Sequence, residues 1–267
     1  MVAAVQFQTI ARALDGIPWM SPVLGRRVYD HIRSTGARNV LDLGTGHGVS
    51  AAYMAAALEA NGHGRVTTVD AAGTQFDPMP ADLLARVGLA HRVRIEREHS
   101  SYNWFLKDRI EERSDDAGNC EPAYDFCYLD GAKNLNVDGL AVVLVERLLR
   151  PGGCLLMDDL DWTYVKNHWL EPSGDGLPLG PLSEAERTQP HLRPIFDLVV
   201  RAHPSFTRCV VEDEWYGWAF KEPGAPRRYE VRTTRPLGVL VAARLRNVLR
   251  RQELRHKERR RTEQRGL

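Results

Sequence analysis

Cysteine is scarce in this 267-residue chain, and its four copies follow no pairing pattern. Cys120, Cys127, Cys154 and Cys209 show no CxxC and no Cys/His spacing, which argues against a disulfide framework or a zinc site and for thiols packed as small hydrophobes. No run approaches the ~18 uncharged apolar residues of a transmembrane helix, so none is expected. The opening MVAAVQFQTIARALDG lacks the basic and apolar regions of a secretory signal, and the expected location is cytoplasmic. Lysine is rare as well: five copies stand against 31 arginines, a bias that points to a GC-rich bacterial source. What is present is ordinary for a globular protein, with 43% hydrophobic, 27% charged and 8% aromatic residues. Disorder and low complexity are therefore excluded for the bulk, and the length suits one large α/β domain or two small ones.

The net charge of +1 conceals an uneven distribution. From Arg235 to Leu267 eleven Lys/Arg face three Glu, a net of +8 that leaves −7 for residues 1–234. Within this tail Leu237, Leu240, Val241, Leu245, Val248 and Leu249 recur at helical spacing among arginines. We therefore divide the chain into a domain, 1–234, and a basic amphipathic helical tail, 235–267. Such a tail packs on the body or on a second subunit as a homo-oligomer contact, or it binds acidic lipid or a polyanion.

Strands and helices alternate through the body. Arg38–Leu43, Arg65–Asp70, Arg92–Arg97, Tyr124–Asp130 and Cys154–Asp158 read as short apolar or β-branched strands. Helices fall between them at Val49–Ala60, around Asp82–Val87, through Trp104, Phe105 and Ile110, and through Val142, Val145, Leu148 and Leu149. Arg150-Pro151-Gly152-Gly153 reads as a sharp break before the fifth strand. Ser183 with Glu186 forms a capping box that starts a helix reaching about Ala202. Phe206–Val211 and Glu214–Phe220 then read as an antiparallel hairpin. The pattern predicts an α/β fold: a doubly wound, seven-stranded, mostly parallel sheet with helices on both faces.

Ligands of such sheets bind at the C-terminal ends of the strands, and here those ends are acidic and glycine-rich. Asp42-Leu43-Gly44-Thr45-Gly46-His47-Gly48 lets the backbone turn tightly against a ligand before a helix N-terminus. Asp70 ends the next strand, where a carboxylate can take both hydroxyls of a ribose. The spacing admits a dinucleotide or an S-adenosyl ligand. An Asp ahead of a G-x-G-x-G turn, rather than G-x-G-x-x-G, favours a ligand carrying an ammonium group.

NVLDLGTGHGVS, VTTVD, YDFCYLDG and LLRPGGCLLMDD, in this order, resemble the motifs of class I S-adenosylmethionine-dependent methyltransferases over roughly Ile17 to Phe220. Within that class the chain resembles the metal-dependent O-methyltransferase branch, which includes catechol O-methyltransferase and actinobacterial sugar and natural-product enzymes. The resemblance implies that Gly44, Gly46 and Gly48 line the methionine part of S-adenosyl-L-methionine, that Asp42 lies near its amino group and that Asp70 binds its ribose. The adenine is expected beside Glu98, His99 and Ser100.

Asp130, Asp158 and Asp159 close the fourth and fifth strands, and neighbouring strands ~4.8 Å apart would bring these carboxylates together. A hard divalent cation, Mg²⁺ or Mn²⁺, would relieve their repulsion. The resemblance implies the same metal site, although catechol O-methyltransferase has Asn where this chain has Asp159. Lys133, three residues beyond Asp130, matches that enzyme's lysine base, and His99 is the second base candidate. The long Leu160–Leu182 connection, with Trp162, Tyr164, His168 and Trp169, reads as a substrate loop, and Ile17–Pro22 as the opposite wall.

The expected activity is Mg²⁺-dependent methyl transfer to a hydroxyl of a small molecule or oligosaccharide, with a mannose-type sugar of an actinobacterium and a catechol or polyketide as substrate alternatives. Nucleic-acid methylation through the basic tail is disfavoured by the acidic body and the lack of an N/D-P-P-Y tetrapeptide. A non-catalytic cofactor-binding protein is disfavoured by the intact Asp130, Lys133, Asp158 and Asp159.

Overall fold

Alternate residues of each central strand face opposite sides of the sheet, and both sides are apolar, so the strands need helices on both faces. The computed structural model describes residues 7–165 and 182–224 and contains them. Strands β1 (Asn39–Leu43), β2 (Arg65–Ala71), β3 (Val93–Glu98), β4 (Tyr124–Leu129) and β5 (Leu149–Met157) run parallel. A closing hairpin, β6 (Phe206–Glu212) and β7 (Tyr216–Lys221), joins antiparallel to complete the seven-stranded order β3-β2-β1-β4-β5-β7-β6. The mostly parallel α/β sheet expected from the sequence is present.

On one face Val40, Phe126, Tyr128, Cys154 and Leu156 pack under α1 (Phe7–Ala13), α2 (Pro22–Thr35) and α3 (Val49–Asn61). Ser21 starts α2 by accepting from the Leu24 N–H, and Pro22 sits in the first turn, where its missing N–H costs nothing. Helix α3 is buried on nearly every side, which its alanines allow, and Gly25 of α2 leaves room for the ring of Tyr53. On the other face Leu41, Leu43, Cys127, Leu129, Leu155 and Met157 pack under α5 (Tyr102–Arg113) and α6 (Leu135–Leu148). A short α4 (Pro80–Arg86) follows β2.

Two expectations are corrected. Arg150-Pro151-Gly152-Gly153 lies inside β5, where the ladder to β4 shifts register between Tyr124 and Phe126 and so accommodates the proline and the left-handed Gly152. The single helix expected from Ser183 is three pieces: α7 (Glu184–Thr188), with its capping box intact, α8 (Leu192–Ile195), and a wider π-type turn at Phe196–Val200. Pro190 supplies no N–H to continue the first piece. His168, Trp169 and the tail 235–267 lie outside the described residues. Among the described residues no helix is long and apolar enough to cross a membrane.

Candidate active site

The C-terminal ends of β1, β2, β4 and β5 open into a cavity of about 480 Å³. Its floor is the turn after β1. Gly44 (φ +108°) donates to the Val69 carbonyl at 2.9 Å, and a Cβ there would lie 2.5 Å from the Asp130 carbonyl oxygen. Gly46 (φ +50°) donates to Asp70 Oδ2 at 2.9 Å, and Gly48 (φ +91°) caps α3. Glycine is required here because the conformation is left-handed and, at Gly44, because the backbone of the next strand end passes so close.

Asp70 lines the cavity, with its second oxygen taking the Ala71 N–H at 2.7 Å and Arg97 at 3.6 Å from Oδ2. Burial raises its pKa, against the hydrogen bonds that lower it. Asp42 lies one layer deeper. Fully buried, it accepts from Thr68 Oγ at 2.8 Å and Ser50 Oγ at 3.0 Å, and burial pushes its pKa up to about 7. Thr45 and Ser50, rather than Asp42 itself, reach the cavity wall.

At the opposite end Asp130 closes β4, and Asp158 and Asp159 follow β5. The Lys133 ammonium forms ion pairs with both Asp130 and Asp159. Lys133 (φ +55°) and Asp159 (φ +59°) both hold the left-handed backbone that non-glycine residues avoid. Asp158 is engaged elsewhere: it accepts from the Tyr128 hydroxyl and from the Asp159 N–H, and Tyr128 also reaches Asp130 at 3.1 Å. The structure thus brings two of the three expected carboxylates onto one cation position and turns the third toward a tyrosine. Among the described residues no group of three or more His, Cys, Asp or Glu is arranged to hold a metal ion.

Burial disfavours the Lys133 ammonium, but Asp130, Asp159 and Asp158 outweigh it, and the lysine pKa stands well above its ordinary value. Burial, and then repulsion from Asp159, raises Asp158 to about 6. The ion pairs with Asp130 and Asp159 favour the ammonium form of Lys133.

His99 is exposed and neither it nor Ser100 lines the cavity. The next two residues, Ser101 and Tyr102, do so instead, where Ser101 caps α5 and Tyr102 begins it. Tyr102 donates to Asp138 and accepts from the Ala132 N–H at 3.2 Å, fixing the Asp130 loop. Trp19 stacks on His47 at 4.6 Å and meets Phe76 edge-on at 5.5 Å, so the expected wall at Ile17–Pro22 is aromatic. Trp162 and Tyr164 supply the facing wall. Tyr128, Tyr102, His47 and Phe76 were not singled out from the sequence. The period-two alternation that pairs Tyr128 with Asp130 on one strand face is the signal that could have found the first.

Solved structures with the same architecture include three methyltransferases. An O-methyltransferase from Bacillus cereus in complex with SAH is 22% identical, with 83% of this chain and 94% of that chain covered and a TM-score of 0.56. TomG from Streptomyces achromogenes, an O-methyltransferase involved in tomaymycin synthesis and solved with SAM, is 18% identical, with 81% and 89% covered and a TM-score of 0.53. SAH-bound PaMTH1 from Podospora anserina is 15% identical, with 83% and 89% covered and a TM-score of 0.54. These likenesses establish the fold. A search of curated proteins finds no match to this chain. Residues 41–160, the stretch that carries the glycine turn, Asp70, Lys133 and all three strand-end carboxylates, match the family model of a methyltransferase domain.

Proposed function

We propose that this protein transfers the methyl group of S-adenosylmethionine to a hydroxyl of a small molecule or oligosaccharide. The observation that carries the reading is the arrangement of one cavity, with a glycine turn and ribose-type carboxylate at one end and a lysine among carboxylates at the other. The bound SAH and SAM of the Bacillus and Streptomyces O-methyltransferases support the cofactor. The Gly44–Gly48 turn would hold the methionine part, Asp70 the ribose, and Ala71, Phe76 and Tyr102 the region of the base.

Transfer needs alignment and a deprotonated oxygen. A lone pair of the substrate oxygen forms the new C–O bond while the C–S bond breaks with its electrons on sulfur, leaving a neutral thioether, and the hydroxyl proton goes to a base. Lys133 is an ammonium in its pairs with Asp130 and Asp159, so it would take that proton only after losing one of its own to solvent, a loss favoured once the charge of the two carboxylates is offset. These two carboxylates converge on one position and offer only anionic oxygen, a donor set suited to Mg²⁺ or Mn²⁺, which often rely on one or two carboxylates and complete their shell with water. They would hold the ion, and Asp158, by holding Tyr128, would steady Asp130. Bound there, the ion would supply charge neutralisation and polarise the substrate hydroxyl. Trp19, Trp162 and Tyr164 suit either a sugar face or an aromatic ring.

Calorimetry with S-adenosylmethionine, SAH and NAD tests the cofactor, and transfer of labelled methyl to hydroxylated acceptors with and without EDTA tests the chemistry. Saturable SAM and SAH binding with none for NAD is expected. NAD binding without SAM binding would overturn the assignment.

A further inference from the structure

We propose that Lys133 is the resident occupant of the cation position between Asp130 and Asp159, and that a divalent ion enters this position only by displacing it. The proposal rests on the metal part of the function proposed above. Three observations carry it. The Lys133 ammonium is paired with both carboxylates at once, so the oxygens that would bind an ion are already bound to a cation. All three side chains are largely withdrawn from solvent, with 13%, 14% and 19% of Lys133, Asp130 and Asp159 exposed, so bulk water screens these ion pairs only weakly. Both Lys133 and Asp159 hold a left-handed backbone, so local strain is stored at both ends of this ion pair.

The root of the lysine is also fixed. Its carbonyl accepts from the Tyr164 hydroxyl at 3.4 Å, and the next residue, Asn134, caps α6 by accepting from the N–H groups of Asn136 and Val137. Only the flexible methylene stem can move, and it can swing toward the cavity that Lys133 lines. A cation between two carboxylates that face one another in a partly buried site relieves their repulsion. In the metal-free protein Lys133 meets that need; an arriving divalent ion needs the same oxygens and repels the ammonium. Ion binding and release of Lys133 into the cleft are then one event, and the freed side chain is the group placed to face a substrate hydroxyl.

Mn²⁺ titration followed by electron paramagnetic resonance, with wild type, Lys133→Met and Lys133→Arg, tests the competition. Lys133→Met should bind Mn²⁺ at least tenfold more tightly than wild type, and Lys133→Arg no more tightly. Displacement itself is read on the wild type by nitrogen-15 lysine labelling, which is practicable because the chain has five lysines. The Lys133 Nζ resonance, identified by its loss in Lys133→Arg, should shift on addition of Mg²⁺ in proportion to site occupancy. A shift supports the proposal even if Lys133→Met does not fold. Mg²⁺ binding with an unmoved Nζ resonance, or equal Mn²⁺ affinities in wild type and Lys133→Met, would overturn the proposal while leaving the metal in place. Absence of Mn²⁺ binding from every variant would remove the metal and this proposal together, with SAM binding left to judge the rest.

Discussion

Acid should destabilise this protein through a histidine far from the cavity. His31, in α2, lies against the rings of Phe126 at 5.2 Å, Trp218 at 5.4 Å and Phe220 at 6.1 Å, on the sheet face opposite to α6. Burial first, and then the charge of Arg208, lowers its pKa from 6.5 to about 4. Arg208, itself exposed, lies 3.5 Å from the centre of the Phe220 ring. Because the folded pKa is the depressed one, folding favours the neutral ring, and the associated stability is present above pH 6.5 and lost as pH falls toward 4. At 1.36 kcal/mol per pKa unit, the loss by pH 4 is about 3 kcal/mol, a large part of a typical domain's stability. His31→Phe keeps a flat ring in the same apolar setting and cannot take a proton. Urea unfolding of both proteins between pH 7.5 and 4 gives the difference in stability, from which the other titrating groups cancel. That difference should shift toward the variant by about 3 kcal/mol across the window. A difference that stays flat with pH would show that the folded protein accommodates the charged ring, and the burial argument would fail.

Two further outcomes follow from the turn after β1. Gly44→Ala should abolish SAM binding in calorimetry and lower Tm, because its Cβ would strike the Asp130 carbonyl at 2.5 Å, whereas Gly36→Ala, with open space around it, should cost only its left-handed strain and leave binding intact. Asp42, raised to about 7 by burial, has the opposite pH dependence to His31: its charged form appears as pH rises, so the penalty grows from about pH 4 to pH 7 and then levels off. Asp42→Asn, tested without cofactor, should therefore gain about 2–3 kcal/mol more relative to wild type at pH 8 than at pH 5, and an unfolding series showing no such gain would refute the burial cost.

The first four parallel strands were legible to within a residue or two, because apolar runs bounded by glycine and acids have few alternative readings. Arg150–Gly153 misled because a bulge can hide a proline that a regular ladder would reject. The helix from Ser183 misled because its capping box and apolar spacing are genuine, while Pro190 ends the first piece despite them. At the site, the strand-end rule located Asp70, Asp130 and Asp159 on one cavity, since it concerns backbone position. It placed His99 at a strand end as well, but which way such a residue faces depends on the turn that follows, and Ser101 turns the chain there. The ion pairs of Lys133 and the reach of Tyr128 to Asp158 lay beyond the sequence, because the tips of long side chains are set by neighbours distant in the chain.

The placement of β7 between β5 and β6 bears on how the protein is made. β5 is paired on one side by β4, but its other edge waits for Tyr216–Lys221, the last strand of the described chain. During synthesis from the N-terminus, the half of the molecule bearing the glycine turn can be complete while β5 still presents an open row of backbone donors and acceptors, the kind of edge that invites pairing with another chain. Lys221 secures the final strand by donating to the carbonyls of Glu146 at 2.5 Å and Leu149 at 2.7 Å, where α6 passes into β5. A ribosome that stalls or terminates before Lys221 would release a chain with its glycine turn made and its sheet unsealed, a natural substrate for chaperones and proteases.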